Sequence, residues 1–330
     1  MIRSANHSSY PRIGDSSWDQ ELRLVARERD AGRASYDDMR NVEDEVSAMM
    51  VADQSRAFVD VVTDGQIRWS GPFSHVASRL SGVRLGGLMR WFETGLYDRR
   101  PVVDGPVVRG TAILVRDAQV ALDVRPKLLK VALPGPVTLA HVSKDEHYRD
   151  RSALARAFAT ALAAEASELV AAGVGMIQLD EPMLCRHPGD LDLVVETATT
   201  VFAGAGPKAA TTLSTYFGDL APVGAELARL PGTHLGLDMV HGAGNWALLP
   251  TLPEGRALYL GLFDARTTRI ESAPEVLSRI APYKEMLMAR DVMVGPQCGL
   301  ELIPRSAAFD KLLQCRYLRE NLEKEWKWRS

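Results

Sequence analysis

Acids and hydroxyls that close short apolar runs are the residues best suited to chemistry in this chain. Asp64 ends FVDVVTD, Asp180 and Glu181 end GMIQLDE, Asp238 ends THLGLD and Asp264 ends ALYLGLFD. Thr212 and Ser214 lie two apart in TTLS, and Cys298 follows DVMVGPQ. A carboxylate fixed at a strand end can orient an ammonium group or take a proton in a transition state. Parity along an extended run sorts these side chains by face. Gln178 and Asp180 share the face opposite Ile177 and Leu179, Thr212 and Ser214 share the face opposite Leu213, and Asp238 points away from Leu235 and Leu237. Glu181 stands where Pro182 stops the run, so it reaches the mouth of the same site, caps the next helix or pairs with an arginine. His241 follows Asp238 on a loop, where a histidine usually serves as a surface hydrogen-bonding group. A strand-end cysteine such as Cys298 is more often a small buried hydrophobe than a reactive thiol.

The elements that must position these residues follow an alternating pattern. From about Lys127 onward, β-branched or Leu-rich runs alternate with longer segments of helical period, as in βα units around a parallel sheet. The runs end near Pro134, Asp180, Ser214, Asp238, Asp264 and Cys298, and two more are expected upstream, one ending at Asp64 and a weaker one before SYPRIG. Eight parallel strands can close into a barrel whose C-terminal strand ends carry the chemistry. The expected fold is therefore α/β, a (β/α)8 TIM barrel spanning residues 1–330 as a single domain. DRSALARAFATALAAEASELVAAG reads as a helix ending at the C-cap-like Gly173. About Ser17 to Ser55 reads as two charged helices elaborating the N-terminal region, Trp69 to Arg125 as a long loop after the second strand, and EKEWKWRS as the frayed end of the last helix.

Composition narrows the function. A formal net charge of -3, with basic residues scattered among acidic ones, gives no electrostatic footprint for nucleic acid or anionic lipid. Cys185, Cys298 and Cys315 form no CxxC or disulfide framework. MIRSANHSSYPRIG lacks an apolar signal region, and no run approaches a membrane span. A small-molecule substrate, a cytoplasmic location, and no nucleic-acid or membrane partner are expected, and a homodimer is compatible with all of this.

SYPRIG, DVVTDGQIRW, LPGPVTLA, MIQLDEP and VGPQCGL occur in the order of motifs in cobalamin-independent methionine synthases. The chain resembles the single-barrel core form of that family over nearly its whole length, and LSTYFGDL followed by HLGLDMV also resembles the family's non-catalytic barrel. The resemblance implies methyl transfer from a 5-methyltetrahydrofolate-type donor to homocysteine, with zinc held by a His-x-Cys pair, a Glu and a distant Cys. Carried over, the His-x-Cys pair falls on Thr212 and Ser214 and the Glu on Asp238, while Cys298 matches unchanged. Hydroxyls are poor zinc ligands, so the implied metal site is largely dismantled.

Gln66 stands where the family has an acid for the substrate amino group, Arg266 where it has a strand-end histidine, and Asp180 keeps the family's acid. The expectation is a methyltransferase with no bound cofactor and no zinc, using a 5-methyltetrahydrofolate-type cosubstrate on an acceptor other than zinc-activated homocysteine. Asp180, Glu181 and Cys298 are its candidate catalytic residues. Arg12, Asp64, Gln66, Trp69, Thr212, Ser214, Tyr216, Asp238, His241, Asp264 and Arg266 are its candidate substrate contacts, with Arg12 and Arg266 for an anionic group and Trp69 for a pterin-like ring. The alternative is a barrel that only binds a ligand or partner. Glycosidase-type hydrolysis is weaker, because an adjacent Asp-Glu pair does not set two carboxylates across a sugar ring.

Overall fold

In the computed structural model, which describes every residue except Trp18, Glu93, Thr94, Leu96, Arg329 and Ser330, all eight anticipated strands form. The chain's strands are β1 (Ile2–Ser4), β2 (Val62–Thr63), β3 (Ser81–Arg90), β4 (Tyr97–Val108), β5 (Leu129–Pro134), β6 (Lys144–Asp145), β7 (Met176–Asp180), β8 (Ala210–Ser214), β9 (His234–Asp238), β10 (Ala257–Phe263) and β11 (Val292–Pro296). One eight-stranded sheet runs in the order β1-β11-β10-β9-β8-β7-β5-β2. Its registers are parallel, with Arg3 opposite Met293, Thr63 opposite Lys130, Gln178 opposite Thr212 and Ser214 opposite Gly236. Parallel bridges Ala5↔Val61 and Ser9↔Gly65 join the first strand to the last of that order. The fold is a (β/α)8 barrel. Strands β5, β7, β9, β10 and β11 are buried along their whole length, as strands of a parallel sheet covered by helices must be.

The chain divides into two compact units, one of residues 1–68, 117–131 and 260–330, the other of residues 69–116 and 132–259. In the first, α1 (Glu21–Asp30) and α2 (Tyr36–Arg56) are the two N-terminal helices. A capping box starts α2: Ser35 Oγ accepts from the Asp38 amide and the Asp38 carboxylate accepts from the Ser35 amide, so two end donors of the helix are satisfied. In the second unit, α3 (Ser74–Ala77) precedes β3, α4 (Val115–Asp123) leads out of the unit, and α5 (Pro136–Val142) and α6 (Arg151–Ala171) follow β5. Asp150 caps α6 by accepting from the Ser152 and Ala153 amides, and Gly173, at φ 109°, supplies the left-handed turn beyond its end. Next come α7 (Met183–Arg186) and α8 (Leu191–Ala205).

Trp69 to Arg125 is not a long loop. It holds a hairpin of β3 and β4, extended by β6 into a three-stranded sheet. Register shifts between Ser81 and Val83 and between Leu85 and Leu88 interrupt the ladder, and such bulges break the period-2 alternation by which a strand is recognised in sequence. Gly82 is required at the first shift: it has φ 77°, and a Cβ there would lie 2.3 Å from the Pro106 carbonyl oxygen. Glu165 of α6, fully buried, anchors the return of this excursion. Its carboxylate accepts from Arg109 Nε at 2.5 Å and from the Ile113 and Leu114 amides at 3.0 and 2.7 Å.

The final helices are α9 (Asn245–Leu248) in the second unit and α10 (Ala273–Ile280), α11 (Lys284–Met288) and α12 (Arg305–Trp326) in the first. The tail beyond α12 is not frayed through Trp328. Lys327 turns back in the left-handed region at φ 52°, and Trp326 and Trp328 stack with centroids 5.7 Å apart, both buried; Arg329 and Ser330 lie outside the described residues. Among the described residues no helix is long and apolar enough to cross a membrane.

Candidate active site at the strand ends

In the second unit, β7 ends on two adjacent acids with different surroundings. Asp180 is buried to 8% exposure; Gln178 Nε2 donates to its Oδ1 at 2.7 Å, as the shared strand face requires, and Tyr216 Oη lies 3.4 Å from its Oδ2. Glu181 is completely buried and turned to the start of α5: its Oε1 accepts from the Val137 amide at 2.9 Å and its Oε2 from the Thr138 amide at 2.8 Å and Thr138 Oγ1 at 2.6 Å. The close approach needs Gly135, since a Cβ there would fall 2.1 Å from Glu181 Cδ. Asp180 is thus held by two side-chain donors, while Glu181 satisfies donors that the first turn of a helix leaves open.

Burial pushes the Glu181 carboxyl up to about 7, with a smaller push from the Asp180 charge, against the bonds from Thr138 and Val137. Between the ordinary glutamate value and about pH 7 the unfolded chain releases a proton that the folded chain keeps. The stability this group contributes is complete below the ordinary value and is lost as pH rises through 7. From pH 5 to 8 the loss is expected to be on the order of 1–3 kcal/mol. Urea unfolding of the native protein and Glu181→Gln should show the stability gap moving against the native protein over that range; a constant gap would contradict it.

Asp238, at the end of β9, organises the turns around it. Its Oδ1 accepts from the Val240 and His241 amides at 2.9 and 2.8 Å and its Oδ2 from the Phe217 amide at 3.0 Å. His241 Nδ1 lies 3.6 Å from the same carboxylate, with its side chain 35% exposed. Thr212 Oγ1 faces Met176 Sδ at 3.7 Å, and Thr212 and Ser214 are both buried. Cys185 has its thiol pushed up to about 12 by burial.

An aromatic wall accompanies Asp180 in this unit. Tyr216 meets Phe217 edge-on at 4.7 Å, Phe217 contacts Phe92 at 5.5 Å, Phe92 contacts Phe73 at 6.0 Å, and Arg186 lies 5.3 Å over Phe92. Phe92 and Phe217 both have left-handed backbones, φ 54° and 64°, a conformation that costs a bulky residue energy and gathers at functional sites. Trp69 is buried and stacks on His75 at 5.1 Å with the planes 4° apart, so one face of its ring is already covered.

The first unit holds Asp64, Gln66, Asp264, Cys298 and the polar end of β1. Burial pushes the Asp64 carboxyl up to about 7, helped by the charge of Asp117 and opposed by the Gln66 amide. Gln66 follows in the left-handed region at φ 54°. Asp264 Oδ1 accepts from Gln297 Nε2 at 3.1 Å and from the Arg266 amide at 2.9 Å, while the Arg266 and Arg12 side chains are exposed. Cys298 is 4% exposed, its Sγ 3.7 Å from the Gly299 carbonyl oxygen. His7 and Lys130 were not among the anticipated residues. Both are fully buried; burial first, and the Lys130 charge second, hold the His7 imidazole well below its usual range. Lys130 was detectable as the one charge inside the apolar strand LKVALP. His7 has only the weaker signal of lying in the polar run NHSS after β1.

A (β/α)8 barrel with its acids at C-terminal strand ends is the architecture of a catalytic barrel. Residues 9–200, more than half the chain, match the family described as "Cobalamin-independent synthase, Catalytic domain", and the chain belongs to that family. It is 29% identical over 307 residues to a methionine synthase of Sulfurisphaera tokodaii, covering 92% of this chain and 88% of the relative. It is 28% identical over 323 residues to one of Saccharolobus solfataricus, covering 96% and 95%. Its fold is similar to a solved B12-independent methionine synthase from Shewanella sp. W3-18-1 in complex with selenomethionine, with TM-score 0.83, 22% identity and 98% of both chains covered. It is also similar to the solved "Putative Vitamin-B12 Independent Methionine Synthase" from Listeria monocytogenes, with TM-score 0.72, 18% identity, and 98% and 99% covered.

Proposed function

We propose that this protein is a methyltransferase that takes a methyl group from a 5-methyltetrahydrofolate-type donor and passes it to an acceptor other than zinc-activated homocysteine. Methyl transfer as the reaction class rests on family membership. The observation that carries the change of acceptor is Asp238: three backbone amides occupy the carboxylate that would have to replace the family's glutamate ligand. Thr212 and Ser214 add only hydroxyls, and a catalytic zinc needs three good protein ligands besides its open position. These residues do not fit the family's zinc, so thiolate activation by metal has no part in the proposed reaction.

In the proposed step the acceptor's lone pair forms the new bond to the methyl carbon as the bond to the donor nitrogen breaks, that electron pair staying on nitrogen, which takes up a proton in exchange for the one the acceptor releases. Asp180, buried and held by Gln178 and Tyr216, orients the acceptor and takes its proton. Glu181 acts through α5 as a positioning residue. Incubating the purified protein with 13C-methyl-labelled 5-methyltetrahydrofolate and a cell extract should label an acceptor other than methionine, with donor binding visible by calorimetry. Absence of both binding and label would overturn the proposal; binding without transfer would favour a barrel that only binds.

A further inference from the structure

Away from the strand ends, three side chains in the second unit converge from α5 and from the turn that starts α8. His141, near the end of α5, places Nε2 2.6 Å from Asp190 Oδ2, and its side chain is only 5% exposed. His187, between α7 and the turn Pro188–Asp190, lays its exposed ring on His141 with centroids 4.1 Å apart and planes 14° apart. One ligand atom from each of the three lies within 4.8 Å of the others, the one group of three His, Cys, Asp or Glu residues so gathered among the described residues.

We propose that His141, His187 and Asp190 form a binding site for a divalent transition-metal ion of the zinc class, one that clamps the end of α5 to the start of α8. Two imidazoles and one carboxylate suit Zn2+, Co2+ or Ni2+, whereas Mg2+ and Ca2+ prefer all-oxygen shells. Three protein ligands leave a position for water. Ligand atoms around a tetrahedral ion stand about 3.3 Å apart. Closing on an ion therefore requires the exposed His187 ring to swing off the face of His141, on which it now stacks, and the His141–Asp190 contact to open slightly. The site is separate from the family's zinc ligands and does not depend on the proposed acceptor.

Zn2+ alone, titrated calorimetrically into chelator-washed protein, is expected to bind one site with a Kd of about 10 µM or tighter. His187→Ala, at an exposed position, and Asp190→Asn should each weaken it by about tenfold or more. Binding undiminished in both variants, binding lost instead in Cys298→Ser, or no binding at about 100 µM Zn2+ would each overturn the site.

Discussion

Asp180→Asn is expected to lower methyl transfer by about 10²- to 10⁴-fold, the usual contribution of a positioned acid or base, while leaving the protein folded. Asparagine keeps the shape of the side chain and can still meet Gln178, which donates to Asp180 at 2.7 Å, but it cannot take a proton. The loss should fall on kcat as well as on kcat/KM, because an interaction that develops in the transition state is being removed. Tyr216→Phe, which deletes only the hydroxyl 3.4 Å from Asp180, should cost no more than about tenfold. Steady-state kinetics and urea unfolding of both variants decide this. A D180N protein that transfers methyl at the native rate would remove Asp180 from the reaction, and one altered only in ligand affinity would support the binding-barrel alternative.

Glu165→Ala is expected to destabilise the protein by about 3–5 kcal/mol. The native carboxylate is fully buried and joins Arg109, itself 7% exposed at the side chain, to the Ile113 and Leu114 amides. Truncation leaves the Arg109 guanidinium with Glu168 as its remaining carboxylate and two amide donors without their acceptor, and that desolvated remainder dominates the cost. The same excursion supplies Phe73 and Phe92 to the aromatic wall, so the damage should extend to activity. Glu165→Gln keeps an acceptor and should lose less. Denaturant melts with limited proteolysis between Arg109 and Leu114 read both effects; a cost below about 1 kcal/mol would show that the anchor is dispensable.

Most of the barrel was legible in the sequence because its buried strands are short apolar runs bounded by turn residues, and because Gly173 and Asp150 mark helix ends by mechanisms that act locally. The hairpin from Ser81 to Val108 was not, since its bulges break the alternation that announces a strand. The site divides the same way. Strand parity correctly put Gln178 and Asp180 together, because a two-residue spacing decides it. The partners of Glu181 are more than forty residues away, at Val137 and Thr138, and only the fold reveals that its carboxylate caps the earlier helix α5 rather than the next one. The family resemblance sets Asp238 at a ligand position, but the amides of Phe217, Val240 and His241 that its carboxylate accepts from depend on turn geometry that residue types do not encode. His141, His187 and Asp190 meet only because α5 and the start of α8 pack together.

The most direct test of the proposed reaction is the fate of a 13C methyl group carried by 5-methyltetrahydrofolate, followed by mass spectrometry with homocysteine and a cell extract both present, with and without a strong chelator. The expected result is label in an acceptor other than methionine, formed at the same rate in the chelator. Labelled methionine whose formation stops on chelation would contradict the account, since it would restore a zinc-bound thiolate as the nucleophile.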